Sequence, residues 1–240
     1  MWDLQGRRAL VSGGGTGIGL ACARALTAAG AHVTVLGRRE APLHAAVAAG
    51  AAREALVGDA CAPPALPDCA ILVNAAGAAH AAPFLRTDDA AFRAALDANL
   101  MSAVTLTRLL LPAMVASGYG RVVNIASTAA LKGYAYVVPY VAAKHALLGF
   151  TRALALEVAT RGVTVNAVCP GFTETPMLEA SVVRIEATTG RDAGAARAGL
   201  AHNNPQGRLF TPEEVADAVL YLCHAAGVNG AALPLSGGEV

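Results

Sequence analysis

The sequence predicts an α/β fold: a single domain in which one parallel, doubly wound β-sheet carries helices on both faces. Three observations predict it. Short apolar runs rich in β-branched residues alternate with longer alanine-rich stretches, the 240-residue chain is 55% hydrophobic and 15% charged, and neither a linker nor a change of composition divides it. Strands that are apolar throughout are buried on both faces, as in a parallel sheet covered by helices. We therefore expect one domain over residues 1–240.

The first half of the chain alternates four predicted strands with two predicted helices. Each helix stops at a glycine, Gly30 or Gly50, and glycine is favoured just past a helix C-terminus. The stretch before the fourth strand holds Pro63, Pro64 and Pro67, and we expect no full helix there because proline interrupts helical hydrogen bonding. The predicted elements are the strands 8–11, 32–36, 55–57 and 70–73 and the helices 17–29 and 40–49.

The second half opens with a long predicted helix, from Asp88 to about Ser117, with Thr87 as its expected N-cap. Another helix opens at Thr211, where a cap precedes a proline at the first helical position and two acids near the positive end of the helix dipole. The remaining predicted elements are the strands 121–126, 163–168 and 231–235 and the helix 140–160.

The segment 178–208 is too long for an ordinary loop and is predicted to be a mobile substrate lid. Apolar residues have helical spacing only in its first third, so we expect a helix there. Three glycines, Gly190, Gly194 and Gly199, argue against a helix in the remainder, because glycine destabilises a helix interior. We expect that remainder to become ordered when substrate excludes water.

Composition and charge exclude several classes of protein. Eighteen basic residues face 17 acidic ones, so the net charge of +1 provides no basic field for nucleic acid. No apolar run approaches the ~20 residues that span a bilayer, and the N-terminus lacks a signal-peptide core. The five cysteines form no Cys-x-x-Cys pair, so neither disulfides nor a metal site is expected. We expect a cytoplasmic protein that binds neither nucleic acid nor membrane.

A glycine-rich turn follows the first strand. Gly13, Gly17 and Gly19 lie between that strand and the first helix, in the pattern Gly-x-x-x-Gly-x-Gly. Glycines let the backbone approach a pyrophosphate, and the helix N-terminus presents unpaired N–H groups to the anion. The spacing differs from the commoner dinucleotide fingerprint and from a P-loop. The turn predicts a phosphate site, although such turns also arise for structural reasons.

Acid–base chemistry is indicated by Tyr140 and Lys144, which lie one turn apart on one helical face. A neighbouring cation lowers the pKa of a phenol toward the range of an acid–base catalyst. Ser127 follows a strand, at the carboxyl edge where open α/β sheets bind ligands. Each of these features also arises by chance, and a serine at a strand end is often a cap.

Taken together, the motifs resemble those of the classical short-chain dehydrogenase/reductase family over essentially the whole chain. The order and spacing of the motifs carry the resemblance, which implies a Rossmann-like fold. One motif departs from the family pattern, since Ala75 replaces the second amide of the usual Asn-Asn-Ala-Gly. The motifs are Gly13-x-x-x-Gly17-x-Gly19, Asn74-Ala75-Ala76-Gly77, Asn99, Ser127, Tyr140-x-x-x-Lys144 and Pro170-Gly171.

The resemblance also implies roles for individual residues. Tyr140 is similar to the family's general acid/base, Lys144 to the residue that assists it and binds the nicotinamide ribose, and Ser127 to the group that orients the substrate carbonyl. Asn99 resembles the asparagine that anchors a proton-relay water. The implied cofactor-binding residues are Gly13, Gly15, Thr16, Gly17, Ile18, Gly19, Arg38, Arg39, Asp59, Ala60, Asn74, Ala76, Gly77, Tyr140, Lys144, Pro170, Gly171, Thr173 and Thr175.

The end of the second strand favours NADPH or NADP as cofactor, with NAD(H) as the alternative. An NAD-specific dinucleotide fold has an acid there to bind the ribose 2′-hydroxyl. Here Gly37 is followed by Arg38 and Arg39, so no carboxylate repels a 2′-phosphate and a guanidinium is available to pair with it. The two arginines also suit the solvated start of a helix.

The resemblance extends to ketoreductases of 3-ketoacyl thioesters and polyketides, and it implies a homotetramer or dimer. The lid arginines are suited to bind the phosphates of a coenzyme A or carrier-protein arm. They are equally typical of a solvated helix. One alternative is an NAD-dependent dehydrogenase of secondary alcohols such as hydroxyacyl-CoA, steroids, sugars or cyclic alcohols. A non-catalytic nucleotide-sensing module is another. The lid arginines are Arg184, Arg191, Arg197 and Arg208, and the residues expected to line an apolar pocket are Leu131, Tyr134, Tyr136, Val138 and Met177.

Overall fold

The computed structural model describes residues 3–240 and has a seven-stranded parallel sheet at its centre. The strand order is β3-β2-β1-β4-β5-β6-β7, as expected of a doubly wound α/β fold. Each predicted strand is present, with ends within two residues of those expected. The strands are β1 (Arg8–Ser12), β2 (His32–Gly37), β3 (Glu54–Val57), β4 (Ile71–Asn74), β5 (Gly120–Ile125), β6 (Val163–Pro170) and β7 (Ala232–Leu235).

Helices cover both faces of the sheet and bury its apolar side chains. On one face, the core contains Leu26 of the first helix and Val219 of the last. On the other, Leu106, Leu110 and Met114 pack onto the central strands. The helices are α1 (Gly17–Ala28), α2 (Glu40–Ala48), α3 (Asp89–Leu96), α4 (Ser102–Ser117), α5 (Val138–Val158), α6 (Pro176–Thr189), α7 (Ala193–His202) and α8 (Pro212–His224).

The long predicted helix exists but differs in two ways from the expectation. Its N-cap is Asp88, whose carboxylate accepts the N–H of Ala91 at 2.9 Å, while the Thr87 hydroxyl donates to the carbonyl oxygen of Pro83. The prediction of Thr87 as the cap was therefore wrong, since Asp88 provides the competing acceptor. A π-helical turn at Asp97–Met101 also separates α3 from α4. Such turns are frequent at functional sites.

The stretch from Asp89 to Ser117 has the length and apolar composition of a membrane-spanning helix. Its inner side packs on the sheet, as in the core helix of a soluble fold, and a third of its most apolar window is buried. Length and composition alone are therefore weak support for a membrane span.

The proline-containing connection between β3 and β4 forms no helix, which confirms the sequence prediction. The five cysteines are all free thiols. Four of the five are buried, and burial raises the pKa of Cys69 and Cys169 to about 11.

Candidate active site

The predicted site residues gather at the carboxyl edge of the sheet, near the point where the strand order reverses. β1 lies between β2 and β4, so the chain builds the sheet first on one side of β1 and then on the other. Open α/β sheets bind ligands in the crevice at this switch point. The segments leaving β1, β4, β5 and β6 carry most of the predicted residues.

The glycine turn between β1 and α1 leaves no room for side chains. A Cβ atom at Gly19 would lie 2.3 Å from the carbonyl oxygen of Gly13. Gly17 has a φ of +53°, and a Cβ there would lie 3.3 Å from Cγ2 of Thr175. Thr16 precedes the helix without capping it through its side chain. The first N–H groups of α1 are therefore left for an external anion.

Two predicted cofactor residues of this turn lie against protein. A Cβ atom at Gly15 would be 3.1 Å from Cβ of Pro42, so that side of the turn faces α2. The side chain of Ile18 packs against the hydrophobic core between the sheet, α1 and α8. Gly15 therefore offers only its backbone to a ligand, whereas the Ile18 side chain is partly buried in the core.

Arg38 and Arg39 follow the end of β2 at Gly37, and both are exposed. The guanidinium of Arg39 donates a hydrogen bond to the Thr16 hydroxyl at 3.2 Å, so it reaches the glycine turn. Arg38 lies within electrostatic reach of Cys61 in the turn after β3. The two positive charges therefore flank the place where a dinucleotide carries its adenosine ribose.

Asp59 and Ala60 form the turn after β3, at the predicted adenine end. Asp59 is exposed, and its Oδ1 accepts the backbone N–H of Cys61 at 2.8 Å. Burial and the carboxylates of Asp59 and Asp97 raise the pKa of the Cys61 thiol. Ala60 is buried beneath the turn.

Asn74 differs from its neighbours because its side chain bonds inside the protein. Its Nδ2 donates to Oδ1 of Asn124 at 2.8 Å, and the residue is 3% exposed. The following residues remain on the crevice side of the strand, and Ala76 donates its N–H to the Ser12 hydroxyl at 3.2 Å. Backbone atoms of Ala76 and Gly77 are available there, and the Asn74 Oδ1 is buried without a hydrogen-bond partner.

Asn99 lies in the π-helical turn, and its side-chain oxygen has no hydrogen-bond partner in the protein. Its Nδ2 donates to the carbonyl oxygens of Ala78 and Ala95 at 2.8 and 2.9 Å, while Oδ1 is buried without a protein partner. A Cβ at Gly77 would lie 2.8 Å from this oxygen and 3.7 Å from Nζ of Lys144. The structure therefore brings Asn99 and Lys144 to the same small space beside Gly77.

Ser127, Tyr140 and Lys144 also meet at this edge. Ser127 follows β5 and caps a short 3-10 helix, while Tyr140 and Lys144 lie on one face of α5. Lys144 Nζ lies 5.6 Å from the centre of the Tyr140 ring and donates to the carbonyl oxygen of Ile125 at 2.8 Å. An ammonium has three donors, so two remain for a ligand.

The pKa values of this pair differ from the sequence expectation. Burial raises the pKa of Tyr140, and a hydrogen bond with Ser127 opposes the rise only in part. Burial also lowers the pKa of Lys144 to about 8. The prediction that Lys144 lowers the phenol pKa was therefore wrong for the ligand-free protein, because burial dominates and the hydrogen bond with Ser127 is the opposing influence.

The end of β6 and the loop after it contain the predicted residues Pro170, Gly171, Thr173 and Thr175. The Thr173 hydroxyl donates to the carbonyl oxygen of Gly171 at 3.0 Å, and Thr175 caps α6. These contacts give the loop a fixed shape beside the start of α1. At the β6 end, Cys169 lies close to Ser127 and Tyr140.

Asn204 holds this loop and was missed by the sequence analysis. It is fully buried, accepts the N–H of Phe172 at 3.0 Å, and donates to the carbonyl oxygens of Phe172 and Arg208 at 2.9 and 2.7 Å. It lies 32 residues away in sequence, inside a polar stretch that has no motif. No signal in the local sequence distinguishes it.

The predicted lid contains two helices rather than one. α6 begins at Pro176 and agrees with the expected helix, but α7 occupies part of the region expected to lack structure. That expectation was wrong because Asp192 caps α7 and alanines outnumber its two glycines. Buried Leu178, Val182 and Ala196 pack the two helices together.

Most lid arginines bond to nearby protein groups. Arg184 donates to the carbonyl oxygen of Ala81 at 2.8 Å and contacts His80 Nδ1 at 3.1 Å. Arg197 pairs with Glu179, and Arg208 pairs with Glu214. These contacts tie three of the four arginines to the folded protein, so the arginines do not form a free row of cations.

The donors at this edge fit a nicotinamide dinucleotide phosphate. The glycine turn has no space for a side chain at Gly19, and it leaves the first N–H groups of α1 for a pyrophosphate. Arg38 and Arg39 provide positive charge without a competing acid at Gly37, and Lys144 keeps two donors for ribose hydroxyls.

Comparisons with known proteins identify the family. Residues 13–239 match the family model described as Enoyl-(Acyl carrier protein) reductase. The chain is 36% identical over 255 residues to D-beta-hydroxybutyrate dehydrogenase of Cupriavidus necator, covering 99% of both chains.

Two solved structures have the same fold over nearly the whole chain. The actinorhodin polyketide ketoreductase with NADPH has a TM-score of 0.90 at 33% identity, covering 98% of this chain and 97% of the other. L-sorbose reductase of Gluconobacter frateurii, with NADPH and L-sorbose, has a TM-score of 0.92 at 28% identity, covering 99% and 98%. The chain belongs to the short-chain dehydrogenase/reductase family and is an NAD(P)-dependent oxidoreductase acting between ketones and secondary alcohols.

Proposed function

We propose that the protein reduces a ketone to a secondary alcohol with NADPH, and that the substrate is a 3-ketoacyl thioester or a polyketide-like ketone. The observation that carries the proposal is the convergence of Ser127, Tyr140 and Lys144 at the carboxyl edge, beside a glycine turn flanked by Arg38 and Arg39. The similar ketoreductase crystallised with NADPH supports both the reaction and the cofactor.

In the proposed mechanism, NADPH supplies the hydride when bound. Ser127 donates a hydrogen bond that orients the substrate carbonyl oxygen. Tyr140 gives its proton to that oxygen, and the raised pKa of the phenol keeps it protonated and ready to donate at neutral pH. Lys144 stabilises the phenolate that is left and binds the ribose. Asn99 offers its unpaired oxygen to a water that returns the proton.

Cofactor choice depends on the two arginines after β2. We expect Arg39→Ala to weaken NADPH binding by roughly tenfold to a hundredfold, the worth of a charge-assisted hydrogen bond, and to leave NADH binding nearly unchanged because NADH lacks the 2′-phosphate. Arg38→Ala is expected to act in the same direction. Titration of protein fluorescence with each cofactor measures both dissociation constants.

The matched control is Arg24→Ala, which removes an exposed arginine from the outer side of α1. It should leave both dissociation constants unchanged. Equal losses for NADPH and NADH in the Arg39 and Arg38 variants would make the arginines structural, and a preference of the unaltered protein for NADH would overturn the cofactor assignment.

Substrate class is supported by the apolar side chains around the crevice. Leu131 and Tyr134 are half-buried, whereas Val138, Met177 and Tyr136 are more than one-third exposed. Such surfaces suit an acyl chain or a ring. NADPH consumption with a panel of 3-ketoacyl thioesters, cyclic ketones, steroids and keto sugars tests the proposal. Activity confined to keto sugars would contradict the proposed substrate class.

A second candidate function is oxidation of a secondary alcohol with NAD. The similarity to a hydroxybutyrate dehydrogenase favours it. The two candidates differ in the cofactor that gives the higher kcat/KM, since cells generally keep NADP reduced and NAD oxidised. The same panel, run in both directions with both cofactors, separates them.

The segment 178–208 is proposed to act as a lid over the substrate. Arg184 is its hydrogen-bonded link to the chain after β4, and α6 and α7 are joined by the Arg197–Glu179 pair. We expect amides in this segment to exchange faster than those of β5 in the ligand-free protein, and to slow selectively when NADP and a ketone analogue bind. Exchange as slow as in β5 without ligand would identify a rigid wall instead.

We also propose a cytoplasmic homotetramer, or a dimer, whose substrate is carried on coenzyme A or a carrier protein. Apolar Leu109 and Leu156 are exposed on α4 and α5, which supports an intersubunit contact there. Along α5, the side chain of Ala142 is exposed and those of Ala146, Phe150 and Leu154 are half-buried. Light scattering at micromolar concentration tests the assembly, and a monomer would reject it.

A further inference from the structure

We propose that Glu239 is a positioning residue for the reaction: its buried carboxylate holds Tyr134, and through Tyr134 it fixes the backbone that carries Ser127. The inference rests on the proposed function, because it gives Glu239 a role in catalysis only if Ser127 orients the substrate. The sequence motifs include neither Glu239 nor its contacts.

A turn after β7 brings Glu239 back toward the site. Gly237 and Gly238 have φ values of +62° and +97°, a left-handed conformation that glycine adopts without strain. The N–H of Glu239 donates to the carbonyl oxygen of Ser236 at 3.3 Å and closes the turn. The Glu239 side chain is only 5% exposed. The turn therefore places a carboxylate inside the protein rather than in solvent.

The buried carboxylate binds two side chains of the segment between Ser127 and Tyr140. The Tyr134 hydroxyl donates to its Oε1 at 2.6 Å, and Lys132 Nζ lies 2.9 Å from the same oxygen. A phenol has one proton to donate. Because Tyr134 gives that proton to Glu239, the hydroxyl of Thr128, 2.6 Å away, donates to the Tyr134 oxygen. Glu239 thus sets the direction of both hydrogen bonds.

Thr128 connects this chain of hydrogen bonds to Ser127. It directly follows Ser127 and is 2% exposed. Ser127 accepts two hydrogen bonds from the same short helix: its Oγ accepts the N–H of Ala129 at 3.1 Å and its carbonyl oxygen accepts that of Ala130 at 2.9 Å. Fixing Thr128 therefore fixes the turn that aims the Ser127 hydroxyl.

The same segment contains a strained residue that needs support on both sides. Tyr136 has a φ of +67°, which costs free energy for a residue other than glycine. Ala82 donates its N–H to the carbonyl oxygen of Tyr136 at 2.8 Å on one side. Tyr134, two residues earlier, is held by Glu239 and by an edge-to-face contact with Phe172 at 6.0 Å. Strain of this kind persists where surrounding contacts over-determine the conformation.

The burial of Glu239 also disfavours a role in stability alone. Its Oε2 is buried without a hydrogen-bond partner, and an incompletely paired buried carboxylate costs folding free energy. Burial and the bond to Glu239 raise the pKa of Tyr134, so its phenol remains a donor throughout the pH range of an assay. Because this carboxylate lies one hydrogen-bonded residue away from the Ser127 turn, its cost in folding free energy favours a role in the geometry of that turn.

The first test separates positioning from binding. We expect Glu239→Ala to lower kcat by about 10-fold to 100-fold while KM for NADPH stays within about twofold, because none of the residues expected to hold the cofactor lies between Thr128 and Tyr136. Glu239→Gln keeps a carbonyl oxygen for the Tyr134 hydroxyl and should recover most of the rate. Glu213→Ala, which removes an exposed carboxylate from α8, is the matched control. An unchanged kcat in the folded Glu239→Ala protein would overturn the inference.

A second variant tests the path through Tyr134. Tyr134→Phe should lower kcat to a similar extent, and the double variant with Glu239→Ala should be no slower than the slower single variant, since both break one chain of hydrogen bonds. Losses that multiply would show that the two residues act separately and would contradict the inference.

Amide exchange gives a readout that does not depend on activity. In ligand-free protein, Glu239→Ala should speed exchange at residues 128–136 and leave β5 unchanged. Unchanged exchange there would overturn the inference even if no substrate were found. Faster exchange in a protein whose unaltered form reduces no ketone would instead keep the hydrogen-bonded network and reject the proposed function.

Discussion

We expect Tyr140→Phe to lower turnover by on the order of 10²–10⁴-fold, the usual worth of general acid–base catalysis. Tyr140 is the proposed proton donor, and its raised pKa keeps the phenol protonated at neutral pH. Phenylalanine keeps the ring that packs beside Lys144 and removes only the hydroxyl. The melting temperature should therefore stay close to that of the unaltered protein, and NADPH binding should remain measurable.

Tyr119→Phe provides the control for this experiment. Its ring contacts the guanidinium groups of Arg7 and Arg121, in the connection that precedes β5 and away from the carboxyl edge. Removing its hydroxyl should leave turnover unchanged. Steady-state kinetics with one active ketone measures both variants, and near-normal turnover in Tyr140→Phe would reject the phenol as the acid.

The second large effect is expected at Lys144 and depends on pH. Its pKa is lowered from 10.5 to about 8 by burial, so its charge is present below about pH 8 and is lost as the pH rises through that value. Reduction leaves a phenolate on Tyr140, 5.6 Å from the ammonium measured to the ring centre. At an effective dielectric constant of about 20, this attraction is worth roughly 3 kcal/mol, or about a hundredfold in rate.

We therefore expect kcat for reduction to fall as the pH is raised from 7 to 9. Lys144→Met, an apolar replacement of similar length, should be about a hundredfold slower at pH 7, show no fall between pH 7 and 9, and bind NADPH more weakly. Arg152→Met removes an exposed charge from the same helix and should keep the normal profile. An unchanged profile in Lys144→Met would assign the titration to another group.

The sequence predicts the fold well because the signals for its elements are local, and equally local motifs indicate the candidate site residues. Apolar strands, helix-stopping glycines and the turn at Gly13, Gly17 and Gly19 each reflect a physical requirement of a few adjacent residues. Tyr140 and Lys144 are one helical turn apart, so their shared face follows from spacing alone. The absence of a helix between β3 and β4 follows equally from Pro63, Pro64 and Pro67.

The sequence predictions are wrong where two opposing structural preferences compete. Thr87 and Asp88 are both good caps, and the outcome depends on which side chain reaches the N–H of Ala91. α7 forms despite Gly194 and Gly199 because its cap and alanines offset them and Ala196 packs against α6. In both cases the outcome depends on a contact that is visible only in the folded structure.

Contacts between residues that are far apart in sequence cannot be predicted from local sequence patterns. Asn204 holds the loop at Phe172 from 32 residues away, and Glu239 reaches Tyr134 across 105 residues. The pKa of Tyr140 also depends on burial beneath segments that are distant in sequence. Each of these features depends on which surfaces meet after folding.

The central claim, hydride transfer from NADPH to a ketone carbon at the Ser127–Tyr140–Lys144 site, is tested most directly by isotope labelling. NADPH carrying deuterium at its reactive nicotinamide carbon is incubated with a 3-ketoacyl thioester and, separately, with a 2-enoyl thioester, and the products are analysed by NMR. The account predicts one deuterium on the new carbinol carbon, formed far more slowly by Tyr140→Phe, and no reduction of the enoyl compound. Deuterium on the former double-bond carbon of the enoyl substrate, with no labelled alcohol from the ketone, would contradict it.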